Sequence, residues 1–228
     1  MKKFKIVLMS LCLVMCLFFL FGCDKDSNSG QGDMYQSNLS ECRKNLFVSK
    51  NANYLVTLTS GQRESDYIMD GKASSLVDFG VITLKFEKVF AGSKLQFELK
   101  IDDDTYAGEF ERNPYDNNFV YDIGKQVSDS SKVSIYLVDF DDNLELDCLS
   151  KDWKFNYKDA LKIFVDKHKK EIEACSENNK LQGEIYIKIV AEDNNLGDIY
   201  WYCLLVAQNG EMYASLISVN TGEILQNN

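Results

Sequence analysis

The feature that most constrains the fold is an alternation of apolar and polar residues along the middle of the chain. Leu95, Phe97, Leu99 and Ile101 alternate with polar residues, and Val133, Ile135 and Leu137 do the same within a β-rich run over 132–140. A period of two is typical of a β-strand with one buried face. Other β-rich runs cover 45–48, 54–59, 77–90, 105–111 and 118–123, separated by Gly, Asn and Asp clusters. Residues 42–150 are therefore predicted to form an all-β sandwich or barrel-like domain.

After residue 152 the apolar period changes. Between Asn156 and Cys175 a stripe of side chains recurs at helical spacing, which predicts an amphipathic helix with Asn156 and Asp159 at its N-terminal cap. Strands are predicted at 184–190, 198–207 and 211–219, and the last two are joined by an Asn209-Gly210 turn. The whole chain is thus predicted to be α+β, with a helix and a three- to four-stranded antiparallel meander in 152–228. The stripe consists of Leu161, Phe164, Val165, His168, Ile172 and Cys175.

The end of this second region carries a short motif, Tyr213 followed by Ser218-Val219-Asn220-Thr221-Gly222-Glu223-Ile224-Leu225. A helix, a meander and this ending resemble a PepSY domain. Asn220 stands where the family usually has Asp, and the turn before Thr221 is shorter than usual. The resemblance implies a cystatin-like fold of a helix on a sheet. It also implies a role in restraining or modulating peptidases.

The first residues have the organisation of an export signal. Lys2, Lys3 and Lys5 precede an apolar run from Ile6 to Phe21, and Gly22-Cys23 ends it. The run is slightly short for a permanent membrane span and lacks a basic flank after it. The segment resembles a bacterial lipoprotein signal, although Phe21 is bulkier than the family pattern. Residues 1–22 are then expected to be removed, and Cys23 is expected to carry the lipid that anchors the chain to the extracytoplasmic face of the cell membrane.

The segment after Cys23 is polar and rich in Ser, Asn, Gly and Asp, so residues 23–41 are predicted to be the lipidated cysteine and a flexible tether. The full chain has 25 basic and 35 acidic residues. Removing 1–22 takes away three lysines and changes the net charge from −10 to −13. Such an acidic chain is a poor partner for nucleic acid and is repelled by anionic lipid, so the lipid on Cys23 must hold it to the membrane.

Four cysteines remain after the signal, and they allow three disulfide pairings among which the sequence does not choose. Cys175 and Cys203 are interpreted as buried small apolar residues. Cys42 and Cys148 bracket the first region, so a link between them is an alternative. The four cysteines contain no C-x-x-C spacing, which argues against metal clusters and thioredoxin-like chemistry.

Acidic clusters give the candidate binding sites. Asp139, Asp141 and Asn143 alternate as in a calcium loop, but Leu144 stands where such a loop needs glycine, which favours a solvated acidic hairpin. Asp102-Asp103-Asp104 is predicted to be a hairpin turn. The charged loop 61–75 is either a binding edge or an ordinary connection.

Catalytic residues are not apparent in the sequence. His168 is the sole histidine and lies on the apolar stripe. Cys175 is about 10 Å away along a helix, too far for a nucleophile–base pair, while Cys203 on the facing sheet stays open. No cofactor is predicted, and the expected function is a non-enzymatic lipoprotein that binds or modulates a peptidase or other envelope protein. The alternatives are a ligand-binding or adhesion lipoprotein acting through the β-domain and, third, an uncharacterised hydrolase.

Overall fold

The structure is a computed structural model that describes residues 35–66, 68–114, 118–192 and 195–225. It contains fourteen strands, two α-helices and short 3-10 turns. The first eight strands are β1 (Leu39–Lys50), β2 (Tyr54–Glu64), β3 (Leu76–Phe86), β4 (Lys94–Ile101), β5 (Asp104–Arg112), β6 (Phe119–Asp122), β7 (Val133–Leu137) and β8 (Asp142–Cys148). Then come the helices α1 (Tyr157–Lys167) and α2 (Lys169–Ala174), followed by strands β9 (Ser176–Glu177), β10 (Lys180–Leu181), β11 (Gly183–Glu192), β12 (Asn195–Ala207), β13 (Met212–Ser218) and β14 (Ile224–Leu225).

The first eight strands close into an antiparallel barrel in the order β1-β2-β3-β6-β5-β4-β7-β8. The barrel closes where Phe47 and Val48 of β1 pair with Cys148 and Asp147 of β8. Its interior is filled by the predicted apolar face of β4, which is at most 2% exposed, and by rings such as Phe110 and Phe119. The prediction of an all-β sandwich or barrel is therefore confirmed as a closed barrel, which leaves the sheet with few open edges.

The last strands form an antiparallel meander, β11-β12-β13-β14, and both helices pack on one of its faces. The meander joins the barrel through a parallel pairing in which Leu39 and Cys42 of β1 lie opposite Ile185 and Ile187 of β11. This parallel pairing of β1 with β11 was not predicted from the sequence. As a result β1 serves both parts: its first residues extend the meander and its later residues close the barrel.

Local sequence signals around the helices are confirmed. The Asn156 side chain accepts hydrogen bonds from the Lys158 and Asp159 backbone N–H groups, and Asp159 caps in return. The predicted single helix is interrupted at His168 and continues as α2. Gly210 (φ +87°) and Gly222 (φ +70°) occupy the two predicted turns, where left-handed backbone favours glycine.

The predicted tether extends too far into the fold. Tyr35, Leu39 and Glu41 are at most 9% exposed, and Leu39 already lies in β1. Polar residues are tolerated there because their groups are paired: Ser40 donates to Glu64 at 2.8 Å, and Glu41 contacts Arg43 and Lys188. The tether prediction was wrong for residues 35–41. Residues 1–34, with Cys23 and the predicted signal, lie outside the described residues.

Candidate functional site

The barrel has one end next to the meander and one end far from it. From Leu39 beside β11 to Lys50 at the end of β1, eleven strand residues span about 36 Å. Because neighbouring strands are antiparallel, the connections 51–53, 87–93 and 138–141 all lie at the far end.

Aromatic rings cluster at this far end of the barrel. Phe86 stacks on Phe90 with centroids 4.7 Å apart, and Phe140 lies 5.6 and 5.7 Å from those two rings. Tyr54 lies 5.9 Å from Phe140. We call Tyr54, Phe86, Phe90 and Phe140 the aromatic end. These four rings, with Ala52, Asn53, Glu87, Lys88 and Val89, line a cleft of about 340 Å³.

The aromatic end presents apolar surface to solvent. Val89 is 90% exposed, Val138 is 40% exposed and Phe140 is 38% exposed. Val89 and Phe140 both line the cleft, so this exposure is concentrated at one place. Exposed apolar residues that occur together beside a concavity mark interaction sites more often than single exposed residues do. The aromatic end is therefore the strongest candidate binding site on the barrel.

The predicted calcium candidates lie on the rim of the aromatic end, in the turn between β7 and β8. Asp139 accepts the Gln96 backbone N–H at 2.8 Å, and Asp141 accepts the Tyr136 hydroxyl at 2.8 Å, while Asn143 lies in β8 and is exposed. The two carboxylates thus accept hydrogen bonds from different neighbours, and residues 138–141 form the turn of the β7–β8 hairpin. Among the residues that the structure describes, no group of three or more His, Cys, Asp and Glu is arranged to hold a metal ion.

Two other acidic segments have structural roles. Asp102 (φ +53°) turns the chain between β4 and β5, as predicted, and the Lys132 backbone N–H holds the pKa of its carboxyl below the usual value. The β2–β3 loop, predicted as a binding edge or an ordinary connection, is anchored by two buried carboxylates. Glu64 accepts the Ser74 N–H, and Glu184 accepts the Gly71 N–H at 2.8 Å.

The anchoring by Glu184 was not foreseen, because in the sequence Glu184 only begins the predicted strand 184–190. In the structure Glu184 is 0% exposed, and the Tyr186 hydroxyl is a second donor to it at 2.8 Å. A buried carboxylate with two donors is well satisfied, and its removal takes away the acceptor of the Gly71 N–H.

We expect Glu184→Ala to release the β2–β3 loop. The orphaned Gly71 N–H costs about 1–3 kcal/mol while it stays buried, which favours opening of the loop. Limited digestion with trypsin should then cut after the exposed Lys72 faster than in the unmodified chain. Glu98→Ala, at an exposed position of β4, is the matched control; equal cutting rates in both variants would contradict the anchoring role.

A second cleft lies between α1 and β13 and contains the sole histidine. His168 Nε2 is 2.8 Å from Ser215 Oγ, and the Phe164 ring is 4.7 Å from the imidazole. Burial is the main cause that lowers the pKa of His168. The cleft has a volume of about 400 Å³, and its lining also includes Lys167, Tyr202, Leu216, Ile224 and Leu225.

The partner of His168 differs from the cysteines considered in the sequence analysis. Ser215 lies opposite Cys203 in the β12–β13 register, and it is the serine that meets the imidazole. The distance suits a nucleophile and a base. However, Ser215 is only 7% exposed, and within the described part of the chain no carboxylate hydrogen-bonds to the imidazole to orient it. The contact therefore ties the break between α1 and α2 to β13.

The four cysteines are free and buried. Cys148 lies opposite Phe47, five residues along β1 from Cys42, which is a separation of about 16 Å. Cys42 and Cys203 are both opposite Ile187, two strand spacings or roughly 10 Å apart. A disulfide requires Cα atoms within about 7 Å. The Cys42–Cys148 link considered in the sequence analysis is therefore wrong.

We expect Cys42 and Cys203 to resist thiol reagents in the folded chain. Burial raises the pKa of Cys42 to about 12 and raises that of Cys203 as well. At pH 8 a thiol with that pKa is thiolate in only about one molecule in ten thousand. Ellman's reagent followed by peptide mass mapping should leave both unmodified until guanidinium is added. Rapid modification of either residue under native conditions would contradict the buried placement.

No family model, no curated protein and no solved structure matches this chain. Searching the described residues for a membrane-crossing helix gives none of sufficient length and apolar character.

Proposed function

We propose that this chain is a membrane-anchored lipoprotein of the extracytoplasmic face that acts by binding rather than by catalysis. The support for the anchor is the sequence up to Cys23 and the acidic surface that follows it. Tyr35, the first described residue, is twelve residues after Cys23 and precedes β1 on the side of the meander. In this proposal the anchored chain therefore has the meander nearer to the membrane, and the aromatic end lies about 36 Å beyond Leu39.

We propose further that the C-terminal region is PepSY-like and cystatin-like, and that it binds or modulates a peptidase or another envelope protein. The observation that carries this proposal is the packing of α1 and α2 across β11, β12 and β13. The Thr221-Gly222-Glu223 turn supports it as well. A Cβ on Gly222 would approach the Phe155 ring to 2.7 Å, so glycine is required there both for space and for its φ of +70°.

Binding and inhibition assays against the secreted peptidases of the producing cell test this proposal. The soluble chain 24–228 is the right reagent, because the meander takes Leu39 and Cys42 of β1 into its core. Met212→Asp, at a 60% exposed position of β13, is expected to weaken binding, whereas Val89→Asp at the opposite end of the molecule is the matched control. If no secreted peptidase is bound or inhibited, the peptidase part of the proposal fails.

The aromatic end favours the second function, a ligand-binding or adhesion lipoprotein acting through the barrel. Its cleft of 340 Å³ is at the small end of the range for ligand pockets, about 300–1,000 Å³. A bound ligand stabilises the folded state, so a thermal-shift screen of glycans and small molecules on chain 24–228 tests it. A hit that is abolished by Phe140→Ala supports this function, and a hit that is unaffected by it opposes it.

A further inference from the structure

We propose that the aromatic end is a docking site for a basic peptide segment, one that presents a phenylalanine or leucine side chain between lysines or arginines. This inference rests on the second proposed function and names its partner. Its basis is the combination of an apolar cleft with an uncompensated acidic rim.

The cleft has a volume of about 340 Å³, which is enough to hold an apolar side chain. The four rings pack on one another with centroids 4.7 to 5.9 Å apart, which leaves no room for another side chain between them. A side chain of the partner would therefore contact the surface of the ring cluster. Val89, which is 90% exposed, borders the cleft and would lose most of its exposed surface when it is covered. Burial of such apolar area contributes about 25 cal/mol per Å². An aromatic or branched aliphatic side chain is the group that gains most from this contact.

The rim is acidic on the side of Phe140. Asp139 and Asp141 flank that ring in sequence and are both exposed, and Asp142 follows them. Within the described part of the chain, none of these three carboxylates takes part in an ion pair with Lys or Arg. The groups that donate hydrogen bonds to them are neutral: the Gln96 N–H and the hydroxyls of Tyr136 and Tyr54.

The other side of the rim does not cancel this charge. Glu87 pairs with Lys50 at 3.6 Å, which leaves Lys88 as the one unpaired cation lining the cleft in the described structure. Three aspartates therefore outweigh one lysine, and the chain as a whole has a net charge of −10. An acidic rim of this kind attracts a basic partner and speeds its association, and it disfavours an acidic one.

A membrane surface is a poorer occupant. The aspartates would face the headgroups, and anionic lipid repels them. In the proposed anchored arrangement the site also lies on the side of the barrel away from the lipid. A protein or peptide segment meets neither difficulty, and its cations lie next to the carboxylates while its apolar side chain enters the cleft.

The test uses chain 24–228 with methyl-labelled valine, and three synthetic peptides: Lys-Phe-Lys-Phe-Lys, Glu-Phe-Glu-Phe-Glu and Lys-Ser-Lys-Ser-Lys. The Val89 and Val138 methyl signals should shift with the first peptide, with an affinity at least about tenfold higher than for the other two. Raising the salt concentration should weaken this binding, because the rim charges are exposed and screened.

Variants separate the two contributions. Phe140→Ala should remove the apolar part and Asp139→Asn with Asp141→Asn the charged part, each lowering affinity by roughly three- to tenfold. Asp129→Asn, on an exposed loop at the opposite end of the barrel, should change nothing. Thermal unfolding of each variant checks that the fold is kept.

Three results would overturn the inference: equal binding of all three peptides, equal binding of the two lysine peptides, or preferential binding to phosphatidylglycerol vesicles. A neutral glycan that stabilises the chain through Phe140 while no peptide binds would leave the barrel-binding function standing and remove this partner. The anchor at Cys23 is independent of every one of these measurements.

Discussion

Replacing Cys23 with alanine is expected to abolish lipid attachment. Replacing residues 1–23 with an export signal that has an Ala-x-Ala site is expected, in addition, to move the protein out of the membrane fraction with its fold unchanged. The physical reason is the charge of the chain that follows the predicted signal. Without residues 1–22 its net charge is −13, and anionic lipid repels such a surface. Two or more acyl chains on one cysteine suffice for stable anchoring.

The measurement is detergent-phase partitioning together with incorporation of labelled palmitate. Cys16→Ala is the matched control, because it lies in the same apolar run and should leave both readouts unchanged. Cys23→Ala keeps the apolar run of residues 6–21, so location is measured on the second variant, in which an export signal with an Ala-x-Ala site replaces residues 1–23. Native attachment of that second variant to the membrane would refute the anchor.

Much of the barrel was predictable because its signals are local. Leu95, Phe97, Leu99 and Ile101 alternate with polar residues, and this alternation by itself assigns an inner and an outer face. Asn209-Gly210 and Thr221-Gly222 mark turns for the equally local reason that glycine tolerates positive φ. The capping box at Asn156 is also a local signal, because it depends only on residues that are close in sequence.

Long-range pairing was not predictable from these signals. Nothing in the sequence around Leu39 and Cys42 indicates that this segment pairs in parallel with the strand that contains Ile185 and Ile187. The first strand was therefore predicted to start at residue 45, and residues 39–41 were assigned to the tether. Strand β8 was missed because its alternation starts inside an acidic hairpin. Such pairings are decided by burial against distant residues, and a single sequence records only the near neighbours.

The candidate site was hidden for a related reason. Phe86, Phe90 and Phe140 were assigned to the runs 77–90 and 132–140 as ordinary strand residues. The structure ends β3 at Phe86 and β7 at Leu137, so the other two rings lie in loops that meet only after the barrel closes. Aromatic residues just past two strand ends are the signal that would have pointed to them. The His168–Ser215 contact likewise joins the break between α1 and α2 to a strand residue 47 positions away.

The largest effect on stability is expected from Phe97→Ala in the barrel core. Phe97 is 1% exposed, and its ring lies 4.5 Å from Phe110 and 4.9 Å from Tyr121. The Phe97 ring packs directly over Gly108, where a Cβ would come within 2.8 Å of the ring. Emptying such a site typically costs about 3–5 kcal/mol. For a chain of this size that corresponds to a fall in Tm of roughly 6–20 °C.

The same substitution should also unfold the meander, because β1 is common to both cores. Phe47 belongs to the barrel core, whereas Leu46 and Val48 on either side of it belong to the core beneath the helices. Both tryptophans, Trp153 and Trp201, lie in that second core with their rings 5.1 Å apart. Tryptophan fluorescence therefore reports on the meander although the substitution is in the barrel.

Thermal melts followed by tryptophan fluorescence and by hydrogen exchange of the β4 amides make the comparison. In Phe97→Ala both transitions should move down together, and in the control Val89→Ala, whose side chain is 90% exposed, neither should move. A fluorescence transition that stays in place while the β4 amides lose protection would show two independently stable units. In that case the pairing of β1 with β11 would not couple the two cores.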